Sequence, residues 1–236
     1  MLKRGVEVCV LWSQTQFLAE NPYLFGVMEK TLPLFPLNLI VYPGEDLNLH
    51  IFEPRYRQLI NECLEEERTF GIPAFINNKL PGYGTEMHVT TLHKRYDDGR
   101  MDIKSKGLTV FRLVNFENPV AGKLYAGGEV ELVEPGDSFS AHSAALVERL
   151  ERLYDLLQIE TDYSITTENL SYRVAHKVGL SVEQEYELLT LGSEAERQLF
   201  LIQHLNNVLP VVADMERTKQ RIRMNGHFKN LDPLNF

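Results

Sequence analysis

This chain has little of several features that define familiar classes of protein. Among its 236 residues it has only two cysteines, Cys9 and Cys63, which excludes a disulfide framework and is typical of a reducing compartment. No apolar run is long enough to cross a membrane, because polar residues such as Glu7 interrupt the apolar stretch at residues 6–18. A formal net charge of −9 argues against a nucleic-acid surface spread over the whole molecule. We therefore expect a cytoplasmic protein that contacts neither membrane nor nucleic acid.

The motifs of common catalytic and metal sites are also missing. The only Gly-Lys pair, Gly122-Lys123, is followed by Leu124 and lacks the upstream glycine of a phosphate-binding loop. Neither a GxSxG nucleophile elbow nor an HExxH zinc motif occurs. His88 and His93 are an odd number of positions apart on one predicted strand, so their rings should point to opposite faces. We expect no catalytic residue, no cofactor and no metal site.

The sequence does contain enough apolar residues for a substantial core, at 44% of the chain. After Pro54, apolar residues recur at the spacing of one helical face, which predicts a helix with Cys63 in its core-facing stripe. Alternating patterns bounded by glycine, proline and aspartate then predict short strands. These strands are expected at residues 70–76, 87–93, 101–104, 108–116 and 125–133.

The most distinctive motifs lie between residues 32 and 56. LPLFPL at 32–37 reads as an extended apolar segment, because each proline fixes its own φ and disfavours a helical conformation in the preceding residue. Pro43-Gly44 in the following VYPG predicts a tight turn, and a half-buried strand should follow it. In IFEPRY, Pro54 is well placed for the first turn of a helix.

This order of motifs resembles the amino-terminal, substrate-recognition domain of Lon proteases, a domain also found alone in small bacterial proteins and in the amino-terminal part of cereblon. Many relatives carry a basic residue where this chain has Val110, so no role is carried over to that position. The residues that carry the resemblance as structural motifs are Pro33, Phe35, Pro36, Pro43, Gly44, Phe52, Glu53, Arg55, Tyr56 and Gly107.

From Pro135-Gly136 onward the pattern changes from alternation to helical spacing, which predicts a domain boundary. Two capping boxes, beginning at Ser181 and Ser193, mark helix starts, and Pro210 should end or kink the last helix. We expect an α+β fold, in which a β-rich, barrel-like (pseudo-barrel) domain with one early helix precedes a C-terminal helical bundle. The expected divisions are an extension of no assigned role at 1–27, the barrel at 28–135 and the bundle at 136–236.

The resemblance implies a non-catalytic protein that recognises unfolded or specific polypeptide segments, as an adaptor in proteolysis or protein quality control. A protease or a chaperone would be its partner. Tyr42, Phe75 and Tyr83 lie beside predicted turns and are the candidate peptide contacts, with plain core packing as the competing interpretation. Two other functions stay open: a small-molecule sensor that uses the groove between sheet and bundle, and a hydrolase with an unfamiliar site.

The cluster Glu53, Arg55 and Tyr56 also has two interpretations. It is either a ligand-binding constellation or a structural unit in which Glu53 caps the helix, Arg55 forms a salt bridge and Tyr56 packs beneath. We favour the structural interpretation.

Overall fold

A computed structural model describes residues 28–134, 136–159 and 168–227, the last four of these by their backbone alone. The extension expected at residues 1–27 lies outside the described residues, as does Pro135 at the expected boundary. The strands are β1 (Glu29–Leu34), β2 (Asp46–Ile51), β3 (Phe70–Pro73), β4 (Tyr83–Arg95), β5 (Met101–Leu113) and β6 (Ala126–Leu132). The helices are α1 (Pro54–Glu65), α2 (Ser143–Leu157), α3 (Leu170–Val174), α4 (Val182–Thr190) and α5 (Glu194–His227), with a 3-10 turn at Ala175–Lys177.

Five of the strands close into a barrel. The hydrogen-bonded order is β2-β5-β4-β3-β1-β6, and a further pairing of β5 with β6 joins the two sides of the ring. Strand β2 pairs with β5 alone and therefore lies outside the closed ring. A barrel with one early helix, followed by helices, confirms the predicted α+β fold.

Helix α1 begins at Pro54 and packs against the barrel, as predicted. Its buried residues include Tyr56 and Cys63, which join a core cluster with Phe35 and other residues of the barrel. Glu53 occupies the N-cap position, but its side chain makes no capping hydrogen bond. The expectation that it caps the helix is wrong, because its carboxylate instead pairs with Arg55 at 2.8 Å.

Strand β5 runs unbroken through Gly107, where the sequence predicted two separate strands. The lack of a side chain at Gly107 allows another segment of the chain to approach closely, and the glycine does not form a turn. A Cβ atom at this position would lie 2.4 Å from the carbonyl oxygen of Tyr42, far inside van der Waals contact. The approach is held by two hydrogen bonds: the Gly44 N–H donates to the Gly107 carbonyl and the Gly107 N–H donates to the Glu45 carbonyl, each at 2.9 Å. Gly107 therefore fixes the VYPG turn against the barrel.

Replacing Gly107 with alanine should destabilise the protein by about 1–3 kcal/mol, because the new methyl group collides with backbone that cannot move aside freely. Gly44→Asn is the matched control. Gly44 has φ +84° with open space around it, and asparagine tolerates this left-handed conformation. Urea unfolding of both variants checks the prediction, and equal losses of stability for the two would contradict it.

The barrel and the helices share one of the hydrophobic clusters of the core. A single buried cluster combines Ile40, Tyr42 and Val110 from the barrel with residues of α2 to α5, such as Leu146 and Leu205. The helices thus cover an apolar face of the barrel rather than standing apart from it. The division at residue 135 stays a prediction.

Helix α5 continues through Pro210 to His227, so the helix does not end at this proline. Proline removes one backbone donor and crowds the preceding turn. The buried side chains of Leu201, Leu205 and Leu209 anchor the same helix to the core and stabilise it up to that point. Within the described ranges, no helix is both long and apolar enough to cross a membrane.

Candidate functional site

A groove runs along the junction between the barrel and the helices, and we call it the junction groove. Its inner part, the recess, has a volume of about 230 Å³. The barrel lines it with residues of β4, β5 and the segment after β6, and the helices line it with residues of α3, the end of α4 and α5. The residues lining the recess are Pro43, Gly44, Tyr83, Leu108, Thr109, Val110, Val133, Glu134, Gly136, Asn169, Tyr172, Leu189, Thr190, Leu191, Gly192 and Arg197.

The outer part of the groove, the open half, is larger, with a volume of about 760 Å³. It is mostly polar and charged, and its lining residues are Pro43, Gly44, Glu45, Lys106, Glu168, Asn169, Tyr172, Arg173, His176 and Lys177. Four residues line both parts: Pro43, Gly44, Asn169 and Tyr172. The recess and the open half are therefore two ends of one groove, which meet at the Pro43-Gly44 turn.

Stacked rings support the floor of the groove. Tyr42 stacks on Tyr172 with ring centroids 5.1 Å apart, and the Arg197 guanidinium lies 4.2 Å from the centroid of the Tyr172 ring. The Tyr42 hydroxyl donates a hydrogen bond to the Glu185 carbonyl at 3.0 Å. Burial raises the pKa of Tyr42 far above its usual value, so the hydroxyl keeps its proton and remains a donor.

His176 bridges the barrel to the helices at the open half. One ring nitrogen lies 3.2 Å from a carboxylate oxygen of Glu45, in the loop before β2, and the other lies 2.7 Å from Glu185 on α4. The hydrogen bond with Glu45 and that with Glu185 raise the pKa of His176 to about 9. At neutral pH the imidazole is therefore protonated and pairs with both carboxylates.

The His176 bridge should make stability depend on pH. Its pKa in the folded protein, about 9, lies above the ordinary value of 6.5, so the contribution of the bridge is complete below about pH 6.5 and is lost as the pH rises through about 9. The His176→Gln variant should therefore be less stable than the parent at about pH 6, and the difference should shrink towards about pH 9.5. Urea unfolding across this range measures the difference, with His88→Gln, on exposed strand surface, as the control. A difference that stays constant with pH would contradict the assignment.

Behind the recess lies a buried ion pair that fixes its helical wall. Arg197 and Glu194 are 3.0 Å apart, and their side chains are 5% and 0% exposed. Glu194 also accepts hydrogen bonds from the backbone N–H of Ser171, at 2.9 Å, and from its hydroxyl. Arg197 in turn donates to the Leu191 carbonyl at 3.1 Å. The network therefore ties α3 and the segment between α4 and α5 to one place on α5.

Of the three predicted peptide contacts, one lines the groove. Tyr83 is half-buried in the recess and meets Tyr186 edge to face, with ring centroids 6.4 Å apart. Phe75 is half-buried but is not among the lining residues of either part. Tyr42 is 0% exposed, so the expectation that it escapes core packing is wrong: helices α3 and α4 cover it.

The motif residues that carry the resemblance are mostly structural. Phe35 stacks on Tyr56 with centroids 3.6 Å apart, and the Arg55 guanidinium lies 4.4 Å from the centroid of the Tyr56 ring. These contacts and the Glu53–Arg55 pair favour the structural interpretation of this cluster. Phe52 is different, since 59% of it is exposed to solvent. It follows Ile51, the buried last residue of β2, and stacks on the exposed ring of His50 with ring centroids 6.1 Å apart.

Sequence patterns did not identify the cationic residues of the open half. Lys106 comes from β5, whereas Arg173 and Lys177 come from α3 and the turn after it. No local motif connects these residues, because only the packing of the helices on the barrel brings them together. Leu108, which is 42% exposed in the recess, was missed for the same reason.

Two observations on the described residues concern thiol and metal chemistry. Cys63 is buried, and this burial raises the pKa of its thiol to about 11, which disfavours the reactive thiolate. In the described ranges, no group of three or more His, Cys, Asp or Glu side chains is placed to hold a metal ion.

A closed barrel with appended helices and a groove at their junction places the chain among the α+β barrel domains. The model of one family, the ATP-dependent protease La (LON) substrate-binding domain, matches residues 31–207, so the chain belongs to this family. The resemblance seen in the sequence motifs is thereby confirmed.

Solved structures agree with this assignment. A Lon N-terminal domain protein from Xanthomonas campestris matches with a TM-score of 0.60 and 26% identity, over 74% of this chain and 98% of that chain. The N-terminal domain of the Mycobacterium avium complex Lon protease matches with a TM-score of 0.56 over 75% of this chain and 98% of its own, but at 19% identity this likeness shows the fold alone.

A curated relative shows the same domain within a larger protein. A LON peptidase N-terminal domain and RING finger protein of Schizosaccharomyces pombe is 22% identical over 74% of this chain and 44% of its own length. This chain therefore spans less than half the length of that relative.

Proposed function

We propose that this protein is a non-catalytic module that binds extended segments of other polypeptides and acts as an adaptor that presents them to a protease or chaperone. Its family, whose model is described as a substrate-binding domain, supports the proposal. The observation that carries it is the junction groove, because the groove joins a recess that contains several apolar side chains to the open half along one surface. An extended chain can place one side chain in the recess and continue along the open half.

The size of the recess favours a polypeptide over a small-molecule ligand. Sites for drug-sized ligands usually enclose about 300–1,000 Å³. The recess, at about 230 Å³, is smaller, and the larger open half lies open to solvent along charged residues. A single apolar side chain fits this arrangement better than a whole ligand that needs enclosure on most sides.

Two recess residues are the main proposed contacts. Leu108 is 42% exposed, and Tyr83 is half-buried with its ring beside Tyr186. Burying such partly exposed apolar surface against a ligand is favourable at about 25 cal/mol per Å². Phe75, whose half-buried ring lies outside the groove lining, is the weaker third proposed contact.

Fluorescence anisotropy of a labelled, permanently unfolded polypeptide, compared with its folded form, tests the proposal. Saturable binding of the unfolded form alone is expected, with no cleavage on a gel run alongside. Leu108→Ser should weaken this binding about three- to tenfold, because the substitution removes apolar surface from the recess.

Leu124→Ser is the matched control for this experiment. Leu124 is 59% exposed and lies outside the junction groove, so its substitution should leave binding unchanged. Failure of the unfolded polypeptide to bind overturns the proposal. Cleavage that persists after repurification would instead support the hydrolase hypothesis.

A further inference from the structure

We propose that the junction groove selects polypeptide segments in which an acidic residue stands two positions from a large apolar residue. This inference rests on the proposed function and specifies the chemistry of the segment. It arises from the charges of the open half, which lies directly next to the apolar side chains of the recess.

The open half presents more positive than available negative charge. Lys106, Arg173 and Lys177 line it together with two carboxylates, Glu45 and Glu168. The Glu45 carboxylate is already engaged, because it pairs with His176 and accepts a hydrogen bond from the Tyr42 N–H at 3.0 Å.

Both lysines of the open half are available to an incoming anion. Lys177 is exposed and makes no ion pair with any residue in the described part of the chain. Lys106 is also exposed. The hydrogen bond from Lys104 and, less strongly, the charge of Lys106 lower the pKa of the Asp46 carboxylate, but that carboxylate is already paired with Lys104 at 2.9 Å. A carboxylate that enters the open half therefore meets lysines without displacing an existing close pair.

The negative charge of the rest of the protein increases the difference in electrostatic potential between the open half and the surrounding surface. With a formal net charge of −9, the surface as a whole repels acidic segments, whereas the open half attracts them. Attraction at one place and repulsion elsewhere orient an approaching segment and reject segments that carry the wrong charge.

The position of the two parts sets the spacing of the recognised residues. The recess and the open half share Pro43, Gly44, Asn169 and Tyr172, so no intervening surface separates them. Neighbouring residues of an extended chain are about 3.3–3.6 Å apart along its axis. Successive side chains of an extended chain point to opposite sides, so with an apolar side chain in the recess the side chain two positions away, about 7 Å along the chain, faces the open half.

A peptide suits this groove better than a single-stranded nucleic acid. Nucleic-acid channels combine a run of cations along the backbone with aromatic platforms on which bases stack. Here aliphatic residues such as Leu108, Val110 and Leu189 line much of the recess, and Glu168 lies among the cations. These features fit an apolar side chain and one carboxylate.

Two labelled peptides of about eight residues, which reach about 26–29 Å when extended, test the inference. They differ at one position: one has aspartate two positions from a central leucine, and the other has the neutral isostere asparagine there. In anisotropy titrations at about 50 mM salt, the aspartate peptide should bind about five- to tenfold more tightly. At about 500 mM salt, where charges are screened, the two should agree within about twofold.

Protein variants assign the preference to the groove. The double variant K106Q/K177Q should lose the preference for aspartate and bind the asparagine peptide as the parent does, because the recess is unchanged. The double variant K79Q/K219Q removes the same number of exposed lysines outside the groove and should keep the preference.

The failure of this inference is distinguishable from failure of the proposed function. If unfolded polypeptide binds but the two peptides bind equally, or neither binds, the charge selection is wrong and the general binding role remains. A labelled oligonucleotide that outcompetes the aspartate peptide also overturns the selection. If neither the unfolded polypeptide nor either peptide binds, both proposals fall.

Discussion

Replacing Arg197 with methionine is expected to cost about 3–5 kcal/mol of the free energy of unfolding. The substitution leaves the carboxylate of Glu194, which is 0% exposed, without its cationic partner. An uncompensated buried charge is far more costly than a lost surface pair. The same change removes the hydrogen bond to the Leu191 carbonyl and the contact with the Tyr172 ring, so the helical wall of the recess should loosen as well.

A second variant separates the effect of charge from that of packing. In E194Q/R197M the glutamine keeps an oxygen that accepts from the Ser171 N–H but carries no charge, so part of the lost stability should return. Lys219→Met removes one partner of the exposed Lys219–Glu216 pair and should cost less than about 1 kcal/mol. Urea unfolding of these variants checks the order. If the double variant were less stable than R197M, the buried charge would not be the cause.

Substitution of Tyr42 by alanine should also destabilise the protein by about 3–5 kcal/mol, the range for removing a large buried ring. Tyr42 is 0% exposed and lies between the barrel and the helices, in contact with Tyr172 and His176. The cavity left behind would remove the contact that holds the barrel wall of the junction groove against its helical wall. We therefore expect binding of the unfolded polypeptide to weaken together with stability.

Tyr42→Phe keeps the ring and removes only the hydroxyl, which donates to the Glu185 carbonyl. It should cost about 1 kcal/mol and leave polypeptide binding unchanged, because the hydroxyl faces α4 rather than the groove. Urea unfolding measures the stability of the variant, and anisotropy measures its binding. If Tyr42→Phe lost binding, the hydroxyl and not the ring would maintain the groove.

Local patterns in the sequence were sufficient to predict much of the fold. The helical face that contains Cys63 and the capping box between Ser181 and Gln184 both depend on residues within a few positions of each other. Short-range geometry determines such features, so a single sequence reveals them. The same applies to the Pro43-Gly44 turn, where Gly44 has φ +84°.

The candidate site could not be predicted in this way, because distant segments build it. Tyr42 lies beside a turn, which predicts exposure, but its hydroxyl bonds to Glu185, 143 residues further along the chain. In the sequence, Gly107 reads as a break between two strands. Its actual role depends on the Tyr42 carbonyl, which is remote in sequence, so no local pattern reveals it. The contact between barrel and helices, rather than any local propensity, determines these positions.

The shared core also has a consequence for synthesis of the chain on the ribosome. The barrel strands are made first, whereas Leu201 and Leu205, which complete the cluster around Tyr42, are made much later. At roughly 5–20 residues per second, the apolar face of the nascent barrel waits on the order of seconds for its cover. During that interval the newly made barrel itself presents the kind of exposed apolar surface that chaperones bind.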